Sequence, residues 1–204
     1  MNQGRHRDAA GSVRIIGGRW RGTRLPVPHA AGLRPTSDRV RETLFSWLQP
    51  VLPGARVLDL FAGSGALGLE AVSRGAAHAP LLEADPALAQ ALHAVVQRLS
   101  AGDEVTVDRA DALAWLRQEQ ALRFDIVFVD PPFKAGLWPA VLELLPARMA
   151  NSAWMYLEMP LEHAPDVSGE WALHREGSTR EVRYALYRRV TLGQVHTSGT
   201  LATT

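Results

Sequence analysis

"LDLFAGSGALGLE", Leu58 to Glu70, is the stretch on which the reading of this chain turns. It holds a short apolar run, a glycine turn spelled Gly63-x-Gly65-x-x-Gly68, and the start of a helical pattern. That spelling is the dinucleotide fingerprint, in which glycines let the backbone approach a ligand and a helix N-terminus lies beside it. The same geometry serves several cofactors, so the surroundings of the loop have to decide between them.

Working outward, "RVLDLF" reads as a buried strand and "ALGLEAVSRG" as a helix ended by Gly75. "APLLEAD" is a second strand, and "PALAQALHAVVQRLS" a helix with Pro86 in its first turn. "EVTVDRAD" gives a third strand, and "FDIVFVDPP" a fourth whose apolar run suits a strand covered on both faces. "LWPAVLELLPARM" predicts a helix, "AWMYLEM" a fifth strand, and "WALHREGSTREVRYALYRRV" a closing two-stranded hairpin. Upstream, "VRIIGGRWRGTRLPVP" (Val13 to Pro28) predicts a short twisted hairpin around Gly17, Gly18 and Gly22. Thr36 is the expected N-cap of a helix to about Gln49, with Leu44, Phe45, Trp47 and Leu48 on its apolar face. Strands alternating with helices and a terminal hairpin mean an α/β fold with a doubly wound, mostly parallel sheet. Pro80 is unusual for a central strand and is tolerable at its first residue.

Ligands of such sheets lie at the carboxyl ends of the strands. Three acids stand there. Asp59 precedes Gly63 by four residues, where its charge would repel a diphosphate and suit a cation. Glu83 ends the second strand, 20 residues after Gly63, placed to accept from both hydroxyls of a ribose. Asp111 ends the third strand, within reach of an adenine amino group. Each alone would pass for a helix cap or a surface charge. Together with the glycine loop they disfavour NAD and suit S-adenosylmethionine, which has a ribose, an adenine and a positive methionyl end but no phosphate.

"FVDPPF", Phe128 to Phe133, follows the fourth strand. The exocyclic amine of a nucleobase is a weak nucleophile because its lone pair is delocalised into the ring. Methylating it requires acceptors on its N–H groups, and Asp130 with the Pro131 carbonyl can supply two. Pro131 and Pro132 stiffen the loop and remove competing donors, and Phe133 offers a face for a flipped base. Catalysis of this kind rests on positioning and electrostatics. The chain has no cysteine. That closes pyrimidine C5 methylation, which needs a thiolate nucleophile, and also excludes disulfides and thiolate metal sites.

At 204 residues the chain has the size of one domain with a small appendage. No apolar run approaches the roughly 18 residues of a membrane helix, and "MNQGRHRDAAGS" lacks the apolar core of a signal peptide. A cytoplasmic protein is expected. Net charge is +1, yet residues 1–41 hold nine arginines against Asp8 and Asp38, which leaves the remainder acidic. A basic arm on an acidic body points to a polyanion partner.

Five stretches, "RIIGGRWRGTRLPVP", "GLRPTSDRVRETLFSWL", "LDLFAGSGALGLEAVSRGA", "FDIVFVDPPF" and "ALHREG…YALYRR", resemble the D-type bacterial 16S ribosomal RNA guanine-N2 methyltransferases from Val13 to Arg188. The resemblance implies a Rossmann-like S-adenosylmethionine-dependent methyltransferase fold with a seven-stranded sheet, an antiparallel terminal hairpin and an N-terminal β-hairpin extension. It implies methylation of one guanine N2 in small-subunit RNA, within 30S particles or their assembly intermediates, by a monomer needing no metal or membrane. Carried over by motif, Asp59, Phe61, Ala62, Gly63, Ser64, Gly65 and Gly68 form the cofactor loop, with Glu83 and Ala84 at the ribose and Asp111 and Ala112 at the adenine. Asp130, Pro131, Pro132 and Phe133 hold the guanine, Asp130 also facing the cofactor; Thr36, Arg39 and Glu42 close over the methionyl end. Arg14, Arg19, Trp20, Arg21, Arg24, Arg34 and Arg41 meet RNA, although Trp20 packing on the main body is a competing reading. The implied division is a basic arm and hairpin over 1–35, the methyltransferase domain over 36–191, and a frayed tail over 192–204. One departure from the family's pattern is Val95, where Asn is common.

Two other readings stay open. A DNA adenine-N6 methyltransferase would use a similar pocket, but more often has Asn at the Asp130 position, Tyr at the Phe133 position, and a target-recognition domain. A non-catalytic RNA-binding assembly factor would keep the fold and arm while losing the glycine loop or Asp130.

Overall fold

The computed structural model describes residues 11–27, 36–119, 121–162, 164–167 and 169–190. The N-terminal stretch to residue 10, Arg34 and the tail from 191 lie outside the described residues. β1 (Gly11–Arg14) and β2 (Arg24–Val27) form an antiparallel pair in which Arg14 faces Arg24. α1 (Asp38–Leu48) follows. Then come β3 (Val57–Asp59), α2 (Ala66–Ser73), β4 (Ala79–Leu82), α3 (Pro86–Arg98), β5 (Val105–Asp108), α4 (Ala112–Arg117) and β6 (Phe124–Val129). α5 (Trp138–Leu144), β7 (Met149–Pro160), β8 (Trp171–Ser178) and β9 (Val182–Arg189) complete the chain.

β3 to β9 build one seven-stranded sheet in the order β5-β4-β3-β6-β7-β9-β8. β5, β4, β3, β6 and β7 pair in parallel, and β9 is antiparallel to both β7 and β8. The fold expected from the alternating pattern is therefore present, with β9 the strand that runs against the rest. The chain leaves β3 toward β4 and β5, then returns to β6 on β3's other side. That reversal opens a crevice at the carboxyl ends of β3 and β6.

Period-two alternation sorts the core onto two faces. On one, Ile126, Phe128 and Tyr156 pack against α1, α2 and α3; on the other, Val127, Val129, Met155 and Leu157 pack against α4 and α5. Phe128 meets Phe45 of α1 edge to face at 6.1 Å and Tyr156 at 6.2 Å. Burying Leu44, Phe45 and Leu48 at roughly 1.5–3 kcal/mol each fastens α1 over β6 and β7. This seats the segment just ahead of α1 at the crevice.

Local details differ from expectation. Ser37, not Thr36, caps α1, its side chain accepting from the Val40 N–H. The helix predicted over "LWPAVLELLPARM" stops at Leu144, because Pro146 cannot continue the ladder and the chain passes into a 3-10 turn, Leu145–Arg148. β7 begins at Met149, ahead of the predicted strand. α4 was not anticipated; its six residues are too few to display a period. Pro80 is the second residue of β4, flanked by β3 and β5.

The N-terminal hairpin is tied down. Glu70 of α2 accepts from the N–H groups of Ile16 (3.3 Å) and Gly17 (3.1 Å). Ser73 carbonyl accepts from Arg19 N, while Ser73 Oγ accepts from Trp20 N and donates to the Gly17 carbonyl. Gly18 has φ +76°, and a Cβ there would lie 1.8 Å from the Ser73 carbonyl oxygen. Glycine is required by both the backbone angle and the close approach.

Candidate active site

Three acids lie at the carboxyl ends of three adjacent strands: Asp59 on β3, Asp130 after β6 and Glu158 near the end of β7. Asp59 is 2% exposed beneath the glycine loop, where Oδ2 accepts from Gly68 N at 2.9 Å. Burial, with the Glu83 charge adding to it, pushes its carboxyl up to about 7 against the pull of the Gly68 and Phe61 N–H groups. Glu83 Oε2 accepts from Gly63 N and Oε1 from Asp85 N, both at 2.8 Å. Two carboxylates thus grip the loop from below and from β4. Gly65 turns it at φ +74° and begins α2 without a side-chain cap. Ala62, Gly63 and Ser64 are buried, Phe61 is half-buried, and Ala84 is exposed.

Asp111 is exposed and caps α4, its side chain accepting from Ala114 N at 2.8 Å, with Ala112 buried behind it. The capping role that any one of these acids might have had is thus present here. Thr36 is buried, and its hydroxyl donates to Glu158 at 3.1 Å and also bonds to Asp130. Arg39 and Glu42 are exposed on α1.

Burial, then the charges of Glu158 and Asp59, hold the Asp130 carboxyl well above the usual carboxylate range, opposed by the Thr36 hydroxyl. Pro131 is buried and Pro132 exposed. Phe133 opens a short 3-10 turn and packs on Trp138, ring centroids 5.8 Å apart. Among the described residues no group of three or more His, Cys, Asp or Glu could hold a metal ion. No helix among them is long and apolar enough to cross a membrane.

The basic residues divide. Arg21 and Arg24 are exposed. Arg14 is also exposed and pairs with Asp38 at 2.8 Å. Arg19 lies over the Trp20 ring at 4.2 Å and pairs with Glu104. Trp20 is half-buried and packs against the core. Arg41 requires a correction: it is fully buried and cannot meet RNA. Its guanidinium donates to Glu70 (2.8 Å), Asp38 (2.7 Å), and the carbonyls of Arg14 (2.8 Å) and Thr36 (3.3 Å). Sequence reasoning missed two residues, Glu70 and Glu158. The signal for Glu158 was a charge two residues beyond Tyr156, hence on the same strand face.

The model of the family described as Conserved hypothetical protein 95 matches residues 13–188. Ribosomal RNA small subunit methyltransferase D of Escherichia coli (strain K12) is 49% identical over 188 residues, covering 91% of this chain and 94% of that one. The structure of a putative methyltransferase from Escherichia coli superimposes with TM-score 0.81 at 48% identity, over 88% of this chain and 99% of the other. An RNA methyltransferase from Salinibacter ruber, in complex with S-adenosyl-L-homocysteine, has TM-score 0.57 at 15% identity over 77% and 94% of the two chains, a likeness of fold alone.

Proposed function

The chain belongs to the family described as Conserved hypothetical protein 95, together with the ribosomal RNA small subunit methyltransferases D, and on that premise we propose that it methylates a guanine N2 in small-subunit ribosomal RNA with S-adenosylmethionine as donor. The target is the guanine numbered 966 in the family's naming, presented within the 30S subunit or an assembly intermediate in the cytoplasm. The observation that carries this is the convergence of the acid-gripped glycine loop and the Asp130-Pro131 turn on one crevice.

The donor set around the loop fits such a cofactor. Asp59 and Glu83 are carboxylates against which a diphosphate would be repelled, whereas hydroxyls and a positive end are welcome. Bound there, the cofactor supplies a methyl group on a sulfonium, already a good leaving group. Phe61 to Gly65 and Gly68 form its seat, Glu83 and Ala84 meet the ribose, and Asp111 and Ala112 the adenine. Arg39 and Glu42 flank the methionyl end, with Thr36 beneath them. Asp130 and the Pro131 carbonyl accept from the guanine amine, which localises its lone pair on nitrogen, and Asp130 takes the released proton. Pro132 stiffens the turn and Phe133 stacks on the base. Residues 1–35 serve as the RNA-contacting extension, through Arg14, Arg19, Arg21, Arg24 and Arg34 with Trp20, and residues 36–191 as the catalytic domain of a monomer.

The test compares wild type with Asp130→Ala. S-adenosylmethionine should bind both proteins with affinities within a few-fold by calorimetry, while NAD binds neither. Methyl transfer to 30S particles lacking the modification should fall by about 10²–10⁴-fold in the variant. Wild-type turnover in Asp130→Ala removes the catalytic assignment, and tight uptake of NAD instead removes the whole reading.

A further inference from the structure

Glu158 is a buried carboxylate to which the proposed reaction assigns no task. Val129 of β6 lies opposite Leu157 of β7, so the next residue of each strand, Asp130 and Glu158, leave the sheet side by side. Two hydroxyls converge on Glu158 Oε2: Thr36 Oγ1 at 3.1 Å and Tyr156 OH at 3.0 Å. The Thr36 hydroxyl also bonds to Asp130. A hydroxyl has one proton and two lone pairs, so Thr36 can accept from a protonated Asp130 while donating to Glu158.

Resting on the methyl-transfer reading above, we propose that Glu158 is a positioning residue for Asp130, the Thr36 hydroxyl joining the two carboxyls into one unit that receives the proton released by the guanine amine. The balance is simple. Once the new C–N bond has formed, the nitrogen is positively charged; Asp130 takes an N–H proton and the bonding pair stays on nitrogen. As that proton passes to Thr36 Oγ1, Thr36's own proton passes to Glu158 Oε2. Tyr156 donates to the same oxygen throughout. Burial and the neighbouring carboxylates hold the Tyr156 phenol well above its ordinary range, which keeps it a donor. Among the described residues, the titratable and polar groups around this unit are Asp59 from β3, Asp130 after β6, Tyr156 on β7, Tyr184 from β9, and Thr36 ahead of α1. A purely structural Glu158 would cap two hydroxyls and leave Asp130's titration alone.

The experiment is a pH titration of the protonated-carboxyl infrared band of the full chain without ligand, the band being assigned by its loss in Asp130→Asn. In Glu158→Gln the Asp130 midpoint should fall by at least about one pH unit, because a neighbouring negative charge no longer opposes ionisation. In Thr36→Val it should rise, and Thr36→Ser should restore the wild-type value; this pair carries the test if Glu158→Gln does not fold. In single-turnover methyl transfer the acid limb of the rate should follow these shifts while cofactor affinity stays within about twofold. An unmoved midpoint in a chain that methylates its RNA overturns the proposal alone. Shifted midpoints in a chain that transfers no methyl group overturn the functional reading, and with it the source of the proton.

Discussion

Replacing Gly18 by alanine tests whether the N-terminal hairpin is part of the folded body. Gly18 and Gly22 both have positive φ, +76° and +84°, so a side chain at either position costs about 1–2 kcal/mol of backbone strain. They differ in surroundings. A Cβ at Gly22 meets nothing within 4 Å, whereas one at Gly18 lies 1.8 Å from the Ser73 carbonyl oxygen. Relieving that overlap must pull the hairpin off α2 and break three hydrogen bonds, from Arg19 N, from Trp20 N and from Ser73 Oγ. At about 1 kcal/mol each, these make Gly18→Ala about 3 kcal/mol worse than Gly22→Ala. Undocking can be local, so the assay is amide hydrogen exchange at Arg19 and Trp20. Those amides should exchange roughly a hundredfold faster in Gly18→Ala than in Gly22→Ala. Equal exchange in the two variants would refute the docked hairpin, because only the contact distinguishes them.

Asp59 predicts a pH effect whose sign can be worked out. Its carboxyl is raised from 3.8 to about 7 in the fold, so the folded state binds the extra proton and stability falls as pH rises between those values, then levels off. Asp59→Asn should therefore gain on wild type by on the order of 3 kcal/mol between pH 5 and pH 8 in denaturant titrations; a constant difference contradicts the assignment. The same variant should bind S-adenosylmethionine more weakly. Glu70→Ala should destabilise the protein by about 3–5 kcal/mol, since it leaves Arg41 buried with its anion gone, and an effect under 1 kcal/mol would show the network to be dispensable. For particle binding, Arg21→Ala should reduce the slope of log affinity against log salt by about 0.7–0.9, and Arg19→Ala by less because Glu104 already pairs with it. An unchanged slope in Arg21→Ala would make the hairpin structural only.

Much of the architecture was legible because apolar periodicity and glycine or proline punctuation report backbone geometry directly. Gly75 and Pro86 marked a helix end and a helix start, and "FDIVFV" announced a strand covered on both faces. What the sequence hid were questions of environment. Counting charges placed Arg41 on RNA, yet it precedes Leu44 by three residues and Phe45 by four, which puts it on α1's buried stripe. A buried arginine needs a buried anion, and Glu70 is that anion, 29 residues away in another helix. Glu158 was hidden in the same way: a strand read for its apolar run gives no weight to the acid at its end, and only the pairing of β7 with β6 brings that acid beside Asp130. Thr36 was read as a cap because it precedes a helix by the right interval, but Ser37 does that work and frees Thr36 to bridge two carboxyls.

The most direct measurement is the identity of the methylated nucleoside. Labelled methyl transfer from S-adenosylmethionine to 30S particles lacking the modification, followed by digestion and mass spectrometry, should yield N2-methylguanosine at one position of the 16S RNA. Label appearing as N6-methyladenosine, or no label in wild-type protein that binds the cofactor, would contradict a pocket in which Asp130 and the Pro131 carbonyl hold a guanine amine.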